Sequence, residues 1–70
     1  MGAQDPVTIY GKTSKGWESL AEKQGFQLKF STHSVTVNSL QDIFSVARSL
    51  RYQRNQPIKV VTSLGDMVWY

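Results

Sequence analysis

The chain has 70 residues, 40% hydrophobic and 19% charged, with eight Lys and Arg against five Asp and Glu for a net charge of +3. This is the composition of one small folded domain, burying about 60% of the surface its unfolded chain exposes, and not of a disordered tail. Cysteine is absent, which excludes disulfides, thiolate metal sites and thiol catalysis together. No apolar run nears the roughly 20 residues of a membrane helix, so the expectation is a cytoplasmic protein.

Residues 1–6 carry no periodicity and end in Asp5-Pro6, so they read as a lead-in or expression remnant, and 7–70 as a single globular domain. Val7, Thr8, Ile9 and Tyr10 form a β-branched and aromatic run ended by Gly11, which predicts a strand. A helix is expected next. Thr13 or Ser14 can serve as its N-cap, Trp17, Leu20, Ala21 and Gln24 share one face at helical spacing, and Gly25 suits the left-handed residue after the last turn. Phe26, Leu28 and Phe30 alternate with polar residues as a half-buried strand does. Val35 and Val37 continue the alternation, either as the second arm of a hairpin or as an irregular extended connection; Thr32-His33 lacks tight-turn chemistry.

Ser39 to Asp42 matches a capping box, and Leu40, Ile43, Phe44, Ala47 and Leu50 form an apolar stripe, which predicts a helix stopped at Asn55 to Pro57. Ile58, Val60 and Val61 predict a strand, Ser63 to Asp66 a turn centred on Gly65, and Met67 to Tyr70 a last strand. The resulting expectation is an α/β domain of βαβαββ order, with a four-stranded mixed sheet and two helices. The competing arrangement is α+β: a hairpin, a helix and a second hairpin (ββαββ), with the first strand and helix added at one side.

Val7 to Ser14 (Val-Thr-Ile-Tyr-Gly-Lys-Thr-Ser) running into Lys15-Gly16-Trp17-Glu18 resembles the glutaredoxins of the thioredoxin-like fold. In that family a similar strand leads to Cys-Pro-Tyr-Cys at a helix start. Here the aromatic is kept and both cysteines are replaced. Gln56-Pro57-Ile58 and Leu64-Gly65-Asp66 stand where the family has a cis-proline before a strand and a hairpin glycine. The resemblance covers Val7 to Tyr70 in outline. Asn-Gln precedes Pro57 instead of the family's Thr-Val, and the family's Gly-Gly, acidic pair and final helix have no counterpart among these residues. The likeness therefore implies a redox-inactive scaffold with one sheet face uncovered, and with it a protein partner, a homodimer or a rearranged topology. It also implies a retained cleft in which Lys12, Lys15, Trp17, Gln56 and Pro57 would bind an anion or a thiol peptide at a helix N-terminus.

Each candidate has a plainer reading. Lysines beside a turn are ordinarily solvated, and Trp17 fits an apolar face. Arg48, Arg51 and Arg54, with Lys59 nearby in sequence, could grip phosphates, yet they also suit a helix C-terminus. His33 is the sole histidine and lies in a polar stretch, so no metal shell can be assembled around it. No nucleophile, base and orienting group converge, so neither an enzyme nor a cofactor is expected. The functional expectation is a non-enzymatic binding module that contacts a protein. The alternative is a small basic nucleic-acid-binding or regulatory protein of the kind phages and mobile elements encode.

Overall fold

A computed structural model describes residues 6–70; the expectation for residues 1–5 lies outside them. Six strands and one helix follow one another as β1 (Val7–Thr13), β2 (Gly16–Gln24), β3 (Gln27–Lys29), β4 (Ser34–Thr36), α1 (Leu40–Arg54), β5 (Ile58–Thr62) and β6 (Gly65–Trp69). They build one sheet of order β4-β3-β2-β1-β5-β6, antiparallel at every step. The expected four-stranded mixed sheet with two helices is thus overturned. Of the competing arrangement the hairpin, helix and second hairpin are present as β3–β4, α1 and β5–β6, but its N-terminal addition is overturned: the residues expected to form a first helix are β2, hydrogen-bonded between β1 and β3 in the middle of the sheet.

The physical reason lies in the turn chemistry. Thr13 does not cap a helix. Its hydroxyl accepts from Lys15 N–H at 3.1 Å and donates to the Gly16 carbonyl at 3.2 Å, closing a two-residue turn that Gly16 completes at φ +108°. Thr62 does the same with Leu64 N–H and the Gly65 carbonyl, at 3.1 and 3.0 Å. The chain therefore uses one device twice, Thr-Ser-Lys-Gly and Thr-Ser-Leu-Gly. Gly25 does adopt a left-handed φ of +62°, but as the first residue of the Gly25-Phe26 hairpin turn between β2 and β3, the position that type II′ turns give to glycine.

Elsewhere β3 and β4 form an antiparallel hairpin, with Leu28 facing Val35. In α1 the Ser39 hydroxyl accepts from Asp42 N–H at 3.2 Å, while the Asp42 carboxylate accepts from Asn38 N–H at 2.9 Å. Asn55 ends the helix in a left-handed conformation, φ 50°, and donates to the Arg51 carbonyl. Pro57 follows a trans peptide; no cis bond occurs among the described residues.

One face of the sheet meets the helix. Val7, Ile9, Ala21, Leu28, Ile58 and Val60 are buried there with Val37 and the helix residues Ile43 and Ala47. Phe44 tilts against Trp69 with ring centroids 5.7 Å apart. Gly11 belongs to this face because a methyl group on it would overlap the Gln56 side-chain amide and reach Leu20 Cδ1 at 2.9 Å. The opposite face has no element over it among the described residues, an arrangement that antiparallel sheets tolerate when that face is polar.

Candidate functional site

Because strand side chains alternate in direction, the residues between the buried ones stand on the open face, and the pairing register arranges them in rows across the strands. Trp17 faces Lys12. The next row runs Ser19, Tyr10, Lys59, Val68. The third runs Ser34, Lys29, Glu22, Thr8, Val61, Asp66. Rows are about 7 Å apart, two residues of strand rise.

Charge is segregated among these rows. The first two hold Lys12 and Lys59 with the rings of Trp17 and Tyr10 and no carboxylate, and Lys15 sits in the adjoining turn. Both carboxylates, Glu22 and Asp66, lie in the third, where Lys29 is beside Glu22, so it is the carboxylates that are confined to one row. The cations and rings are in contact: Lys59 Nζ is 4.7 Å from the Trp17 ring centroid and 5.4 Å from that of Tyr10, and Lys12 Nζ is 5.7 Å from Trp17. At these distances the ammonium groups are attracted to the ring faces, which holds the aromatic platform and the positive charge in one place.

The residues singled out from the sequence are redistributed. The expected helix N-terminus at Ser14 to Trp17 is a hairpin turn, so its amides form no anion cradle. Lys12 and Trp17 do come together, as a cross-strand pair on the open face. Pro57 is beside them only through its carbonyl, which accepts from Lys12 N–H at 3.0 Å. Gln56 lies on the helix-covered side above Gly11, with Arg54 Nε donating to its Oε1 at 3.4 Å. The five residues of the expected cleft therefore line no single site.

The alternative basic set also divides. Arg48, Arg51 and Arg54 project from α1, where Arg48 Nη2 donates to Ser45 Oγ at 3.4 Å and Arg51 and Arg54 occupy the last turn. Lys59 is on the other side of the sheet. Tyr10 is the site residue that sequence reading passes over, although its alternation with Ile9 and its separation from Lys12 by two residues place both on one strand face. His33 stacks on Phe30, centroids 4.6 Å apart and planes at 5°, in the loop between β3 and β4.

Among the described residues no group of His, Asp or Glu could hold a metal ion, and no helix is long and apolar enough to cross a membrane. No protein-family model matches the chain, and neither a curated protein nor a solved structure does.

Proposed function

We propose that the open sheet face binds single-stranded nucleic acid, with Trp17 and Tyr10 as stacking surfaces for bases and Lys12, Lys15 and Lys59 as phosphate contacts. The observation that carries this reading is the cluster in which two rings and two ammonium groups meet on a solvent-facing sheet, apart from the carboxylates. Both rings are half-buried, and stacking on an accessible ring face tolerates any base while lysines beside the rings follow the backbone, which is the usual chemistry of single-strand recognition. A duplex fits less well at this site, because the lysines form a compact patch and the one described helix, α1, lies on the opposite side of the sheet from them. The net charge of +3 favours the same partner.

Fluorescence anisotropy of labelled oligo-dT and oligo-rU tests this. Three phosphate contacts on a single strand give a log–log salt slope of about −2, so a fourfold rise in salt weakens binding roughly fifteen- to twentyfold. Trp17→Ala weakens it by about tenfold or more, the loss of one stacked base. The double variant Arg48→Ala/Arg54→Ala stays within about twofold of the parent, because both arginines lie across the sheet from the platform. No binding at low salt removes the proposal, and a larger loss from the arginine variant than from Trp17→Ala moves the site to the helix.

A further inference from the structure

We infer that two copies of the chain pair through β6, antiparallel, about a two-fold axis at Val68. Among the described residues β6 is an edge strand with β5 as its sole neighbour. The pair Thr62 and Gly65 flanks a two-residue loop, and only a mutually hydrogen-bonded pair can do so. Bonded and non-bonded pairs alternate along an antiparallel ladder. Val60 with Met67 and Ile58 with Trp69 are therefore bonded pairs too. The backbone groups of Gly65, Met67 and Trp69 are consequently directed into the sheet, whereas those of Asp66, Val68 and Tyr70 point to the free edge.

Natural edge strands are ordinarily blunted by lysine, proline, a bulge or brevity. β4, the other edge, is three residues long. β6 has five residues, no lysine or proline, and one charge, Asp66. The surface beside it is apolar: Leu64 is 84% and Met67 47% exposed, and they border a groove of about 250 Å³ with Leu40, Phe44 and Val60.

The occupant is a second copy because charge selects one self-complementary register. Centred on Val68, antiparallel self-pairing sets Asp66 opposite the partner's Tyr70, whose phenol can donate to the carboxylate, and yields about six backbone hydrogen bonds. On the helix side it sets Met67 opposite the partner's Trp69, a favourable thioether–aromatic pair. Centred on Asp66, the pairing would oppose two carboxylates, which is unfavourable. The dimer also joins two basic rows end to end, since each row of Ser19, Tyr10 and Lys59 terminates at Val68.

Sedimentation equilibrium of the full chain over a dilution series tests the inference. The expected mass is twice 7.9 kDa, falling to one copy on dilution. Val68→Pro removes an N–H that points off the sheet, a place where edge strands accept proline; it should keep the parent circular dichroism and sediment as a monomer. Val68→Lys sets two ammonium groups across the axis and should weaken association about tenfold or more at low salt, with the monomer fold intact. Should Val68→Pro unfold, Val68→Lys decides alone. A parent that is monomeric throughout, a Val68→Lys variant as dimeric as the parent, or masses beyond two copies overturns the inference. Trp17→Ala leaves the dimer unchanged, so failure of the nucleic-acid reading is separable from failure of this one.

Discussion

Replacing Gly16 by alanine distinguishes a hairpin from a helix by the sign of the result. Were residues 14–25 helical, Gly16 would lie in the first turn, and alanine there would stabilise by up to about 1 kcal/mol. In the structure Gly16 holds φ +108°, and nothing lies within 4 Å of where its Cβ would be. No clash contributes, so the cost is conformational. An L-residue held in a positive-φ region costs about 1–3 kcal/mol, and the loss of unfolded-chain entropy returns about 0.4–1 kcal/mol of it. The net expectation is destabilisation by about 1–2 kcal/mol. For a domain of this size that lowers the thermal midpoint by roughly 5–15 °C, read by circular dichroism. A raised midpoint would refute both the hairpin and the account of why β2 is a strand.

Thr13→Val and Thr62→Val each remove a hydroxyl that makes two turn hydrogen bonds, at a cost of about 1 kcal/mol each. Thr62 pairs with Val7 and Thr13 ends the same strand, about 20 Å away, so the double variant should lose the sum in urea unfolding; marked non-additivity would contradict two independent turns. Ser39→Ala removes the helix N-cap and should cost about 1 kcal/mol, with a matching fall in the urea midpoint. Ile9→Ala empties a fully buried site in the central strand and should cost about 2–5 kcal/mol, much of the stability of so small a domain. Trp17→Ala, on the open face, should stay within about 1 kcal/mol, and equal losses from the two would place Trp17 in the core.

Where one local rule governed a segment, the sequence was readable. The capping residues and apolar stripe of α1, the alternation of Leu28 with its neighbours, and the two strands around Gly65 each carry their own signal. β2 was opaque because its residues conflict. Glu18, Leu20, Ala21, Glu22 and Lys23 are good helix formers, and Trp17, Leu20 and Ala21 recur at helical spacing. What decides the segment is the turn at 13–16 together with tertiary context: the turn brings it back along β1, which offers it a ladder, and strand preference depends on such context more than on residue type. The available clue was the repeated Thr-Ser-X-Gly: the sequence places a turn at Ser63 to Asp66, and the same Thr-Ser-X-Gly that leads into it at 62–65 recurs at 13–16. The candidate site followed the same pattern. Lys12 and Trp17 were identified for a helix terminus that does not exist, and they adjoin for another reason, as partners across a hairpin.

The helical spacing itself arises from a bulge. The turn fixes Thr13 opposite Gly16 and the core fixes Ile9 opposite Ala21; from Thr13 back to Ile9 is four steps, whereas from Gly16 on to Ala21 is five. One residue of β2 must go unpaired, and it is Leu20. Leu20 turns inward beside Ala21 to pack over Gly11, giving two successive inward residues where a regular strand allows one. Without this extra residue in the count, strict alternation from Ala21 would point Trp17 toward the helix. With it, Trp17 and Ser19 stand on the open face opposite Lys12 and Tyr10. The irregularity that made this stretch resemble a helix is thus what delivers its tryptophan to the lysines, and the proposed binding platform depends on that one unpaired leucine.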